Sequence, residues 1–240
     1  FKDKNEKENY VYQTTYGPAI WRFMASLISY HGDNKCLILP FNLAPYQVVV
    51  VPIYKKGKTK EINAYADKVV SKLEKAGYRV FFDSDEEESP GSKFYNWEIK
   101  GVPLRIEIGP RDLAKKQMIC VLRHTGKKQP VKIAEIAKFV KRVEPTVLLH
   151  LVKQADALLK KNIHEAKTYA ELEKKIKKGG FVKVNWCSMK EDGEPCAERV
   201  EKDLAAKVRG IRADKNEKPT GKCIVCGVKA QHVAYIAKQY

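Results

Sequence analysis

Four consecutive valines, Val48-Val49-Val50-Val51, constrain this chain more than any other short stretch. Side chains branched at Cβ favour extended backbone, and successive strand residues point to opposite faces. A strand that is apolar at every position suits burial on both faces, so its sheet must be covered by other layers. The neighbouring segments supply candidates. Ile62, Tyr65, Ala66, Val69, Val70 and Leu73 recur on one face of a helix predicted over 60–76, with Gly77 as its stop. Tyr78–Phe82 reads as a strand, a further strand is expected near 117–123, and a helix over 130–143. That order predicts an α/β fold, a mixed sheet with flanking helices.

On either side of this block the patterns change. Residues 19–30 have helical spacing, His31-Gly32-Asp33-Asn34 breaks it, and Cys36–Pro40 reads as a short strand. An acidic loop with Pro90-Gly91 follows Phe82. Glu144-Pro145 is a natural boundary, and 146–178 beyond it is strongly helical. That region fits one long helix or two broken near Lys161-Asn162, ending at Gly179-Gly180. Phe181–Trp186 resembles a strand, 196–209 a helix, and 228–239 a strand or short helix.

The stretch from Trp97 to Asp112 concentrates chemistry. Apolar 102, 104, 106 and 108 alternate with charged Arg105 and Glu107, the period of a half-buried strand. Gly101 and Gly109-Pro110 punctuate its ends. Such a strand holds Arg105 at a fixed height between Glu98 and Arg111-Asp112. Guanidinium can donate twice to the O6/N7 edge of guanine, and a carboxylate can accept from its N1–H and N2–H. The same residues also suit a surface strand with ordinary ion pairs, and Glu107 paired with Arg105 is the simplest role for that glutamate. Trp97 could stack on a base, though a tryptophan beside a strand is more often core, while Lys93 and Lys100 suit phosphate contacts.

Six cysteines occur, and the last four, Cys187, Cys196, Cys223 and Cys226, form C-x8-C-x26-C-x2-C. A C-x2-C turn lets two thiolates approach one ion, and two more complete a closed tetrahedral zinc site with no open position for substrate. Without a secretory signal, metal is favoured over disulfide. Cys36 and Cys120 lie in apolar contexts and are expected to be buried thiols.

With 46 Lys+Arg against 29 Asp+Glu, the net charge is +17, which favours a polyanionic partner such as nucleic acid. A lysine-rich surface without such a partner would give the same balance. No run of 18 apolar residues exists and no signal segment opens the chain, which predicts a soluble, cytoplasmic protein with no membrane partner. The start at Phe1 inside a charged stretch reads as a fragment or a partly ordered chain.

The order GVPLRIEIGPRD (101–112), preceded by SPGSKFYNWEIK (89–100), resembles the prolyl-tRNA synthetases of the archaeal and eukaryotic type. Residues 10–53 resemble the end of a class II catalytic domain, 64–91 the anticodon domain's helix, strand and loop, and the cysteine-bearing tail the C-terminal zinc domain. The resemblance implies three parts: 1–43 from the catalytic domain, 44–145 for anticodon binding, and 146–240 as a smaller α+β zinc-containing domain. It implies ATP binding by Arg22 in GPAIWR (17–22) and an active-site turn at His31, Gly32 and Asp33. Phe94, Glu98, Arg105, Arg111 and Asp112 correspond to anticodon contacts, and Tyr240 to a terminal carboxylate reaching the catalytic domain.

The complete enzyme of that family joins proline to tRNA-Pro with ATP and Mg, carries structural Zn and is a homodimer. The first two class II motifs are missing from these residues, so this chain alone is not expected to aminoacylate. The alternative is a free-standing RNA-binding module with a structural zinc site, and the block at 10–40 argues against it.

Overall fold

The valine run lies at the centre of a covered sheet. The computed structural model describes residues 1–7, 14, 17 and 19–238. Two compact units, Phe1–Val152 and Lys153–Tyr240, divide the chain. In the first, β1 (Val48–Pro52), β2 (Val80–Phe82), β3 (Leu104–Ile108), β4 (Gln117–Leu122) and β5 (Lys128–Lys132) form one sheet in the order β2-β1-β3-β4-β5. The first three strands run parallel and the last two antiparallel, giving the mixed sheet with flanking helices that the element order predicts.

Burial follows the pleat. Val48 and Val50 join Leu104, Ile106 and Ile108 under α2 (Thr59–Lys75) and α5 (Ile136–Lys161). Val49 and Val51 pack on the other face against Trp97 of α3 (Pro90–Ile99). Every residue of β1 is buried, and at about 25 cal/mol per Å² such apolar burial is the main favourable term for the unit.

Several sequence expectations are corrected. The half-buried strand at 102–108 is buried throughout, Arg105 and Glu107 included, because α3 lies on the face that the alternation assigned to water. That helix falls where a loop leads into the charged stretch. Ser89 caps it by accepting the Ser92 amide, and Pro90 occupies its first turn. Cys36–Pro40 forms no strand. Its apolar residues instead deliver Ile38 to the core, and the Leu39 amide bonds the Gly101 carbonyl. Residues 128–132 are the edge strand β5, where Pro130 is tolerated because an edge has an unused donor side, so the helix starts at Ile136.

Pro145 does not end α5, since the buried stripe of Ile136, Phe139, Val140, Val143, Val147 and Leu151 continues past it. The proline sits on the exposed side, where water can satisfy the carbonyl it leaves unpaired.

In the second unit β6 (Ile163–Glu165), β7 (Phe181–Trp186), β8 (Ala206–Gly210) and β9 (His232–Lys238) form a sheet in the order β6-β7-β9-β8. It packs with α6 (Tyr169–Ile176) and α7 (Glu194–Leu204) around Leu172, Ile176, Val182, Val184, Trp186 and Val200. The helix expected over 196–209 stops at Ala205, which takes a left-handed conformation with φ of 48°, and the chain then enters β8.

Between α1 (Ile20–His31) and β1, the Asp33 carboxylate receives two hydrogen bonds from Arg123 at 2.7 and 2.6 Å. The guanidinium holds that carboxyl at about 2, below its usual 3.8. A depressed pKa means the stabilisation is present above pH 3.8 and fades as pH falls towards 2. Urea midpoints for wild type and Asp33→Asn are therefore expected to differ most above about pH 5 and to converge at low pH. Leu104→Ala, which removes a fully buried side chain from the sheet, is expected to cost about 2–5 kcal/mol in the same assay.

Candidate nucleic-acid interface

Helix α3 is fixed over the sheet before it presents anything outward. Trp97 donates its indole N–H to Asp83 at 2.7 Å and packs against Phe81 with ring centroids 4.8 Å apart. Lys93, only 1 % exposed, pairs with the same Asp83 at 2.9 Å and donates to the carbonyls of Asp83 and Asp85. A buried ammonium is costly to leave unpaired, so Lys93 is an anchor and not the phosphate contact suggested by the sequence. Lys100 is exposed, with its ammonium 4.3 Å from the Trp97 ring.

With Lys93 and Trp97 inward, Phe94 and Glu98 sit four residues apart on the adjoining flank. Arg105 rises from β3 to meet them. Its guanidinium lies 4.2 Å from the Phe94 ring centroid, one Nη is 3.3 Å from Glu98, and the other is 3.0 Å from Glu107. Lys128 of β5 reaches Glu107 at 3.1 Å and stands 6.0 Å from the Phe94 ring. The expected Arg105–Glu107 ion pair is present.

Three of the proposed base contacts, Phe94, Glu98 and Arg105, thus converge. The Glu98 side chain is 24 % exposed and that of Arg105 9 %. An aromatic face, an accepting carboxylate and a donating guanidinium within one cluster can stack a splayed base and bond its edge.

Arg111 and Asp112 belong to a short helix, α4 (Pro110–Ala114), at the far end of β3. Asp112 accepts the Gly109 amide at 3.0 Å, Arg111 is exposed, and no hydrogen bond, ion pair or ring contact among the described residues joins either to the other three.

The residues implied for the catalytic end do not converge. Arg22 is exposed near the start of α1, and His31 ends that helix, roughly 14 Å further along its axis at 1.5 Å per residue. Gly32 packs closely on the Ile28 carbonyl, and Asp33 exchanges backbone hydrogen bonds with Cys36 at 2.9 and 3.0 Å. Tyr240 lies outside the described residues.

Two basic residues escaped the sequence reading. Arg123 is buried and donates to Asp33, Cys36 and Glu98, while Lys35 lies 3.7 Å from Glu98. No local pattern marks either one, because their partners are distant in sequence.

In the second unit the thiols of Cys187, Cys196, Cys223 and Cys226 all lie within 4.8 Å of one another, with 3.7 Å between the first two. A tetrahedral ion with bonds of about 2.3 Å would set its sulfurs roughly 3.8 Å apart, so these four residues fit zinc. The knuckle is shaped by Gly227, at φ of 74°, whose amide bonds the Cys223 carbonyl. Gly193 is required between the other two ligands, since a Cβ there would stand 2.1 Å from the Ser188 carbonyl oxygen. Outside the cluster, burial pushes the Cys120 thiol up to about 12. Cys36 is exposed, against expectation, because its segment forms no strand.

No helix among the described residues is long and apolar enough to cross a membrane. The family model described as "Anticodon binding domain" matches residues 47–143, and "Prolyl-tRNA synthetase, C-terminal" matches 169–240. The proline–tRNA ligases of Thermofilum pendens and Pyrococcus abyssi are 39 % and 36 % identical over the whole of this chain, which covers 49 % and 50 % of them. The chain spans about half the length of the curated relatives it matches.

Among solved structures, the prolyl-tRNA synthetase of Giardia lamblia, in complex with prolyl-adenylate, aligns with a TM-score of 0.84 at 33 % identity. That alignment covers 91 % of this chain and 47 % of the Giardia one. The Cryptosporidium parvum enzyme, complexed with L-proline and AMP, gives 0.82 at 30 % identity, covering 91 % and 46 %. On these grounds the chain corresponds to a C-terminal part of the prolyl-tRNA synthetases, holding their anticodon-binding and C-terminal domains.

Proposed function

We propose that this chain reads the anticodon of tRNA-Pro for an enzyme that joins proline to that tRNA with ATP and Mg. The convergence of Phe94, Glu98 and Arg105 carries this reading. Phe94 offers its ring to a splayed base, Glu98 accepts from the N1–H and N2–H edge of guanine, and Arg105 donates to O6 and N7. Arg111 and Asp112 extend the contact at the far end of β3. The net charge of +17 supplies affinity for the phosphate backbone without sequence discrimination.

The remaining assignments follow the same family reading, with 1–43, 44–145 and 146–240 as the end of the catalytic domain, the anticodon domain and the C-terminal domain. Arg22 binds ATP phosphates, where a guanidinium stays charged and bonds oxygens in pairs. His31, Gly32 and Asp33 shape a turn beside the active site, and Tyr240 reaches back toward the catalytic domain. The complete enzyme acts as a cytoplasmic homodimer. The α1 face supports an enzyme over a free-standing RNA-binding module. It buries no residue and exposes Ile20, Trp21, Phe23, Met24 and Ile28, an apolar surface suited to a covering domain.

Cys187, Cys196, Cys223 and Cys226 would hold a zinc ion whose role is to cross-link the loop after β7, the first turn of α7 and the loop before β9. All four positions are taken by protein thiols, so the site is structural. Atomic absorption is expected to find one zinc per chain. A strong chelator should unfold residues around β7 and α7, seen as lost amide protection there, while the sheet of the first unit stays protected.

Binding at near-physiological salt tests the base reading. Wild-type chain is expected to prefer tRNA-Pro over a copy with both anticodon guanines replaced by about tenfold or more, and Arg105→Ala to abolish the preference. Equal binding of the two RNAs by wild type would sink the assignment.

A further inference from the structure

Arg123 is 7 % exposed, and its guanidinium bonds three residues from two separate segments. Its Nε donates to the Glu98 carbonyl at 3.2 Å, its two Nη atoms to the Asp33 carboxylate at 2.7 and 2.6 Å, and one of them also to the Cys36 carbonyl at 3.1 Å. Asp33 and Cys36 close a turn on each other, and Cys36 is held at φ of 112°. Such a conformation persists only where the surroundings enforce it.

Lys35, inside that turn, lies 3.7 Å from the Glu98 carboxylate oxygen that Arg105 also approaches. Just beyond, a Cβ on Gly101 would stand 2.9 Å from the Leu37 carbonyl oxygen, so the segment after the turn lies directly against the end of α3. Glu98 is the penultimate residue of α3, where helices fray, and its carbonyl accepts the Gly101 amide at 3.0 Å as well as Arg123. It is nevertheless held at its backbone by Arg123 and at its side chain by Lys35 and Arg105.

We propose that Arg123 and the Asp33–Cys36 turn brace Glu98, making Arg123, Asp33 and Lys35 positioning residues for guanine discrimination. This rests on the base-reading role given to Glu98 above. Asp33 and Lys35 precede the matched anticodon-binding segment at 47–143, so specificity depends on residues outside it. Arginine is required because its planar fork serves the carbonyl and the carboxylate together, which a lysine ammonium on a flexible stem cannot do in fixed geometry.

The test is a double-mutant cycle on the 240-residue chain, with tRNA-Pro and its guanine-replaced copy as probes and circular dichroism as a check of folding. Arg123→Lys is expected to cut the guanine preference by about tenfold, with affinity for the replaced copy changed by less than about twofold, because phosphate contacts carry that affinity. In a Glu98→Gln background, Arg123→Lys should reduce the preference no further. Asp33→Asn, which keeps the shape of the turn, should give a partial loss that likewise disappears in that background.

A preference unchanged in both Arg123→Lys and Asp33→Asn overturns the brace. So does an equal loss with and without Glu98, since Arg123 would then act on structure in general. Absence of a preference in wild type overturns the base reading itself, and the brace with it.

Discussion

Covering both faces of β1 is the constraint on which the first unit depends. A run of four valines leaves no side for water, so α2 and α5 must close one face and α3 the other. The second closure is the demanding one, because α3 has only ten residues and one large apolar anchor, Trp97. Asp83 completes it by taking the Trp97 indole and the Lys93 ammonium together. Once Lys93 and Trp97 are fixed, helical geometry sets the direction of Phe94 and Glu98. The candidate reading surface is therefore a consequence of core packing.

The same surface shows why charge was placed under a helix. Burying Arg105 and Glu107 costs desolvation that pairing offsets only in part, so their retention is poor evidence for stability. Their value lies in orientation. Glu107 and Glu98 hold the guanidinium on two sides while Phe94 covers its plane. Such a group enters an encounter with few rotamers to lose, and ordering side chains is among the larger costs of binding.

Both units show where local pattern is a sufficient guide. The buried valine strand, the 60–76 helix with Gly77 beyond it, the Phe181–Trp186 strand and the four-cysteine set each depend on residues close in sequence or on one distinctive ligand chemistry. The errors have a different origin. Helix α3 has its own start signal in Ser89-Pro90, directly after an acidic stretch whose composition favours irregular backbone. Pro145 reads as a helix stop by a rule that a longer apolar stripe overrides. Alternation in 102–108 suggested an open face because the sequence does not say that a helix will lie on it.

By itself, then, the sequence determined the α/β class, the main strands and helices, the four-cysteine cluster and the aromatic, acidic and basic residue types of the candidate surface. Periodicity and spacing carry that information along the chain, and resemblance to a family carries the rest. Only tertiary structure decided that Phe94, Glu98 and Arg105 meet while Arg111 and Asp112 stand apart, that Lys93 is an anchor, and that Arg123 joins Asp33 to Glu98 across 90 and 25 residues of chain. The physical reason is that a buried charge takes whichever partner the fold brings within about 3 Å, and no local pattern encodes which one that will be.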